Sequence, residues 1–222
     1  MDPQRVTDNL IQLTRFRFVN AFLVREEDGF TLVDTAMRAG DDLIGAAREA
    51  GAEIRRIALT HGHGDHVGSL DALRERLGPG VPVLMPELDA QIHAGEAFAE
   101  KKPPGSWPEL KTVPDQRLQA GDRVGSLEVI ATPGHTPGHV AFRDTRDGAV
   151  IAGDTFTNIG GLAVPSHQHW RFPLAYPATW DKAQVLESAR TLRALSPSVL
   201  VVGHGAPRRE PGAAMDAAIS AG

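Results

Sequence analysis

Short runs rich in apolar residues recur along the chain between polar stretches, and several close on a turn signal. Val6 to Leu13 and Phe16 to Val24 read as strands, and Asp28-Gly29 marks a hairpin turn into a third strand, Phe30 to Asp34. From Asp41 to Ala50 the spacing becomes helical. Leu43, Ala47 and Ala50 share a side, Asp41 and Asp42 complement the dipole at the N-terminus, and Gly51 suits the C-cap. Ile54 to Leu59 is a short strand that runs into a histidine-rich loop. Val67 to Leu77 follows as a helix, closed by Gly78-Pro79-Gly80, and Val81 to Met85 is apolar enough to be a strand buried on both faces.

The period is lost between Pro86 and Pro114. Glu87 to Lys101 has helical character, and Pro103-Pro104-Gly105-Ser106-Trp107-Pro108 then breaks it, which suggests a lid. Strands resume at Arg123 to Val124, Leu127 to Ala131, Val140 to Asp144 and Ala149 to Ala152. A second irregular stretch runs from Thr155 to Pro177. Thr179 to Leu195 is an amphipathic helix with Thr179 as its expected N-cap, Val199 to Val202 is a buried strand, and one short helix is expected from Pro211. The halves echo each other. A strand leads to Asp34-Thr35, then a helix, then a strand ending near His61-Gly62. Later a strand leads to Asp154-Thr155, then a helix, then a strand ending near His204-Gly205. Two similar β-rich halves suggest two sheets packed face to face, with helices outside and the acid and histidine loops along one edge.

Composition narrows the chemistry. A chain of 222 residues is long enough for one large-cored domain and short for two, so residues 1–222 are expected to form a single domain. The formal net charge of −5 offers no basic footprint for nucleic acid or anionic membrane. The polar start lacks a signal-peptide core, and no apolar run approaches a membrane span. The absence of cysteine excludes thiolate ligands and fits a cytoplasmic location. A small molecule is the expected partner, with no nucleic acid and no membrane; a homodimer is compatible with the chain.

The candidate chemistry centres on Thr60-His61-Gly62-His63-Gly64-Asp65-His66. Three imidazoles and a carboxylate within six residues suit Zn²⁺, with Mn²⁺ and Fe²⁺ as alternatives. His61 and His63 can point the same way, whereas Asp65 and His66 are adjacent and diverge, so one loop could feed two metal positions. His135, Asp154 and His204 each lie just past an apolar strand and beside glycine.

This ordered set resembles the metallo-β-lactamase superfamily over nearly the whole chain. The resemblance implies an α/β architecture, an αβ/βα four-layer sandwich of two mixed sheets flanked by helices. It also implies roles. His61, His63 and His135 would hold one metal ion, and Asp65, His66 and His204 a second. Asp154 would bridge the two, and Asp34 would be a supporting carboxylate. Two such cations about 3.5–4 Å apart can lower the pKa of a water between them, and Asp65 could orient it or relay its proton. His139 is either a supporting residue or strand-end packing.

The chain also departs from particular branches. It lacks the cysteine of one β-lactam-hydrolysing class, the glutamate that di-iron oxygen reductases place at position 63, and the basic insertions of RNA-processing members. It ends without the helical extension of typical glyoxalase II enzymes, and it lacks the tyrosine that many lactonases place soon after the bridging aspartate. A hydrolase of an ester, lactone or thioester is the expectation, and a persulfide dioxygenase with one iron on His61, His135 and Asp154 is the alternative. The segments 86–114 and 155–177 should wall the pocket, with Trp107, Phe156, Trp170, Phe172 and Tyr176 as its apolar lining. His93 is expected on the surface, His167 and His169 in the loop, and Arg171 either near a substrate carboxylate or solvated.

Overall fold

Alternation along the strands sorts the apolar side chains into three separate cores. In the computed structural model, which describes residues 1–98 and 100–222, β3 (Val19–Glu26) turns Ala21 and Leu23 to one face and Phe22 and Val24 to the other. β10 (Val140–Asp144) likewise splits Ala141 from Phe142, and β14 (Val199–Val201) splits Leu200 from Val199 and Val201. Phe22, Val24 and Val33 meet Val129, Phe142, Ile151 and Val201 in a middle core between two sheets. The outer face of the first sheet packs on helices α1 (Gly40–Glu49) and α3 (Leu70–Leu77), through Leu43, Ala47, Leu70 and Leu73. The outer face of the second packs on α6 (Lys182–Ala194) and α7 (Gly212–Ala221), through Val185, Ala189, Leu192 and Met215. Helix, sheet, sheet and helix thus form the expected four-layer sandwich.

The first sheet has seven strands in sequence order: β1 (Asp2–Arg5), β2 (Leu10–Arg15), β3, β4 (Gly29–Val33), β5 (Ile54–Ala58), β6 (Val83–Pro86) and β7 (Gln116–Leu118). The second runs β15 (Arg208–Arg209), β14, β11 (Val150–Ile151), β10, β9 (Leu127–Ala131) and β8 (Arg123–Val124). The sequence echo is a structural repeat. β4–α1–β5 is a parallel crossover that leads from Asp34 to His61, and β11–α6–β14 is a second that leads from Asp154 to His204.

The halves also interlock. The Asn20 side chain donates to the carbonyls of Val202 at 2.8 Å and Gly205 at 2.7 Å, and its backbone N–H donates to Gly203 at 2.9 Å. In the other direction, the Val140 N–H donates to the Thr60 carbonyl at 2.9 Å.

Several local expectations change. The stretch read as one strand from Val6 turns at 6–9, and only its part from Leu10 is strand, β2, which pairs with the earlier β1. Phe16 and Arg17 form a turn with φ of 51° and 70°, a left-handed pair that carries no Gly or Asn to announce it. The helix expected from Val67 begins only at Leu70, as α3, since α2 (Gly64–Val67) ends at Val67 and Gly68-Ser69 separate the two; the Ser69 hydroxyl accepts the Ala39 N–H at 2.9 Å instead of capping α3. Helix α4 (Glu87–Ala94) stops at Gly95 in the left-handed conformation, well short of Lys101; Ala99, within the expected helix, lies outside the described residues. Thr179 is not the N-cap of α6. Asp181 is, and its side chain accepts the Gln184 N–H. Thr179 instead ends α5 (Ala175–Ala178).

Candidate metal centre

Strand ends deliver the site. Beyond β5, the chain carries Thr60, His61 and an extended His63 before α2 presents Asp65 and His66. His135 lies in the β9–β10 turn, Asp154 on the short 3₁₀ turn Gly153–Thr155 after β11, and His204 just past β14. Glycine is required at Gly203, where a Cβ would fall 2.1 Å from Asp154 Oδ1 and 2.6 Å from His66 Cε1.

The seven side chains converge. His63 Nδ1 is 3.0 Å from His135 Nε2. His204 Nε2 is 3.1 Å from Asp154 Oδ2 and 3.2 Å from Asp65 Oδ2. Asp154 also lies 3.4 Å from His135 Nε2 and 3.5 Å from His66 Nε2. Three groups each keep their ligand atoms within 4.8 Å of one another: His61, His63 and His135; His61, His66 and Asp154; and Asp65, His66 and His204.

Each of the five histidines is fixed through its far ring nitrogen. His61 Nδ1 meets Thr60 Oγ1 at 3.0 Å, and His63 Nε2 meets the Pro104 carbonyl at 3.0 Å. His66 Nδ1 meets Asp34 Oδ2 at 2.8 Å, His135 Nδ1 meets Thr179 Oγ1 at 3.0 Å, and His204 Nδ1 meets the Phe18 carbonyl at 3.1 Å. The Pro104 and Phe18 carbonyls and the Asp34 carboxylate can only accept, so these nitrogens carry hydrogen and the inward nitrogens present lone pairs when the rings are neutral. His61 Nε2, His66 Nε2 and Asp154 Oδ1 are buried without a hydrogen-bond partner. Buried inward atoms without partners, in an all-N/O donor set, fit divalent cations, which would take the place of the protons.

Asp34 takes its place through a left-handed backbone, φ 59°. Its carboxylate accepts the Thr60 N–H and the His66 Nδ1–H, both at 2.8 Å, and the Thr60 hydroxyl. His139 has both nitrogens engaged. Nε2 accepts the Asp154 N–H at 2.9 Å and Nδ1 meets Thr132 Oγ1 at 2.8 Å, so it supports the backbone of Asp154. Burial holds His139 neutral, with its pKa pushed down to about 3.

Electrostatics divide the cluster. Burial, with the neighbouring histidines, pushes His61 well below the ordinary range, and burial likewise lowers His63 and His135. Burial also opposes charge on His66 and His204, but the Asp154 and Asp65 carboxylates outweigh it, with Asp34 adding to the effect on His66. They raise His66 to about 9 and hold His204 well above its usual value. Burial would raise Asp65 and Asp154, yet the charges on His66 and His204 hold both below the normal carboxylate range.

Of the expected lining, Trp107 and Phe172 adjoin the cluster, with ring centroids 5.2 Å from His63 and 4.8 Å from His204 respectively. Phe156 does not line a pocket. It is fully buried in the core beneath α6, because β11 and β14 leave an apolar space there. Trp170 stands 76 % exposed, with the Arg171 guanidinium over its ring and Arg171 Nη1 bonded to the Gly160 carbonyl, so both serve their own loop. Tyr176 lies partly buried under the Lys182 ammonium, and among the described residues its hydroxyl bonds none of the clustered groups. His167 and His169 stay in that loop, outside the cluster. His93 is not a surface residue: its Nε2 bonds the Gly62 carbonyl at 2.8 Å and its ring packs on Trp107. Nothing in the sequence tied Phe18, Thr179, Asp89 or Pro104 to the site; they reach it only through the fold.

The sequence profile of the metallo-beta-lactamase superfamily matches residues 14–204. The chain belongs to this superfamily. It is 42 % identical over 208 residues to the uncharacterized protein YobT of Bacillus subtilis, covering 90 % of this chain and 89 % of that protein. It is 30 % identical over 224 residues to the probable metallo-hydrolase YflN of the same organism, covering 89 % and 82 %. A hydroxyacylglutathione hydrolase of Rhodopseudomonas palustris is 34 % identical over 157 residues, and the match spans 69 % of this chain and 49 % of that enzyme. Among solved structures, TTHA1623 in a di-iron-bound form superposes with a TM-score of 0.67 at 28 % identity, covering 90 % of this chain and 94 % of that one. This superfamily member therefore carries a buried His/Asp cluster suited to divalent metals.

Proposed function

We propose that this superfamily member is a dinuclear metal-dependent hydrolase that cleaves an ester, lactone or thioester. One observation carries the reading: five histidines have their outer nitrogens fixed by five different partners, and their inner nitrogens share one centre with Asp65 and Asp154. His61, His63 and His135 would hold one ion and Asp65, His66 and His204 the other, with Asp154 between them. Zinc suits this donor set best, and the di-iron relative keeps iron as an alternative. When bound, such ions supply Lewis acidity toward an acyl carbonyl and an acidified water.

The chain's own groups do the rest. Asp65 is only partly buried and remains ionised beside His204, so an Oδ atom can accept a hydrogen bond from a water and orient it toward the acyl carbon. His139 keeps Asp154 in place through its backbone N–H. Trp107, Phe172 and Phe18 line the approach, the last with its ring 6.1 Å from that of His204. Among the described residues, no lysine or arginine hydrogen-bonds or ion-pairs with the cluster, so an uncharged acyl group is the favoured fit.

The proposed partner is a small molecule acted on in the cytoplasm, by a chain folded as one domain. No described helix is long and apolar enough to cross a membrane. Metal content per chain, measured together with a panel of esters, lactones and thioesters, tests the reading. About two ions with acyl hydrolysis supports it; one iron with oxygen uptake on a persulfide and no hydrolysis overturns it.

A further inference from the structure

Asp89 is a fully buried carboxylate on the first turn of α4, and among the described residues it forms no ion pair. Its two oxygens reach loops from both halves of the fold. Oδ2 accepts the Gly62 N–H at 2.8 Å and the Thr136 hydroxyl at 2.7 Å, and Oδ1 accepts the Gly138 N–H at 2.7 Å. Gly62 separates His61 from His63, and Thr136 directly follows His135. A single carboxylate therefore spans the two loops whose imidazoles meet at 3.0 Å between His63 and His135. One turn along the same helix, His93 binds the carbonyl of Gly62, so α4 holds that residue by both its N–H and its C=O. The approach of Gly138 is close enough that a Cβ there would fall 2.6 Å from Asp89 Oδ1.

Fold stability does not account for a carboxylate here. A buried ion with only neutral donors around it is costly, and burial pushes the Asp89 pKa up to about 6. What a carboxylate does better than any neutral side chain is accept three convergent hydrogen bonds without offering a donor of its own. An asparagine would set its NH₂ against an N–H or the hydroxyl of one loop.

We propose that Asp89 is a positioning residue that sets the spacing between the His61–His63 loop and the His135 loop, and so the affinity of the metal position those histidines form. This rests on the reading that the cluster holds metal.

The test is Zn²⁺ binding to the full-length, metal-stripped chain by chelator competition, with the Tm of the metal-free protein read in parallel. Asp89→Asn should weaken one of the two binding steps by tenfold or more. The other step, at Asp65, His66 and His204, should be unchanged, and the metal-free variant should stay folded with a cooperative melting transition. Thr136→Val, which removes one of the three bonds, should weaken the same step by a smaller factor, and Thr136→Ser should restore it. Unchanged zinc affinity in both Asp89→Asn and Thr136→Val overturns the proposal. So does a loss in Asp89→Asn that comes with a collapsed Tm and is absent from folded Thr136→Val. A wild-type chain that binds no metal overturns the reading of the cluster itself, and that result is seen before any variant is made.

Discussion

Thr179 Oγ1 lies 3.0 Å from His135 Nδ1 and also bonds the Ala175 carbonyl at 2.8 Å. The carbonyl can only accept, so the single hydroxyl hydrogen goes to Ala175. The imidazole must then donate from Nδ1, which leaves the Nε2 lone pair facing His63 and Asp154. Thr179→Val removes the acceptor that selects this tautomer. The expected result is a loss of metal affinity of about ten- to a hundredfold, restored by Thr179→Ser. Nitrogen NMR of labelled histidine should show His135 as one tautomer in the parent and as a mixture in the valine variant; a single unchanged tautomer would refute this assignment.

Asp154 approaches His66, His135 and His204 at once. Asp154→Ala should therefore cut bound metal below two ions per chain and abolish acyl hydrolysis while the far-ultraviolet spectrum stays native. Full activity in the alanine variant would rule out the dinuclear mechanism.

Gly105 has φ 97°, and a Cβ on it would fall 2.2 Å from His63 Nε2. Gly105→Ala should displace the neighbouring Pro104 carbonyl from His63 and lower the metal content of that position. Trp107, whose ring packs on His63, should report the change as shifted fluorescence. An unshifted spectrum with normal metal content would show that the 103–107 segment does not constrain His63.

The Phe172 ring lies tilted against His204, with centroids 4.8 Å apart, and sets an apolar side chain beside the histidine. Phe172→Ala should raise KM for substrates with long acyl chains by several-fold and leave kcat within about twofold, because uniform binding is what it removes. A fall in kcat alone would place the ring in the chemistry instead.

Asp89 also makes a signed prediction about pH. Its folded pKa, about 6, lies above the ordinary carboxylate value, so the native state holds this proton more tightly than the unfolded chain does. Its ionisation therefore costs nothing at low pH. The cost grows as pH rises through about 4 to 6 and is complete above 6. Asp89→Asn removes that cost, so the difference in unfolding free energy, variant minus parent, should rise by about 1 kcal/mol between pH 5 and 7 in urea titrations of the metal-free proteins. A flat difference would mean that Asp89 is not raised.

The two sheets were legible in the echo between the halves, but Ala21 and Leu23 could not be told from Phe22 and Val24 in the sequence, because all four are apolar and only the packing shows which core each enters. That the seven candidate ligands cluster was legible too, since His61, His63, Asp65 and His66 lie within one loop and the other three follow strand ends. The supporting groups were hidden. Thr179 reads as a helix cap, yet its hydroxyl is 44 residues from the ring it fixes. Asp89 drew no notice in the sequence, and only the packing of α4 against two loops shows what its oxygens accept. Phe156 and Trp170 went astray for a related reason: an aromatic in an irregular stretch carries no period to say which way it faces.

Asn20 holds the carbonyls of Val202 and Gly205, and Val140 holds that of Thr60, so each half of the chain grips the loop through which the other supplies histidine. The centre is thus a seam rather than a pocket in either half. Bound cations would act as stitches across it. Cutting the chain between β7 and β8 would yield two fragments, each with histidines but neither with a finished centre, whose reassembly should depend on metal. Chelation should loosen amide protection first along this edge, in both sheets together.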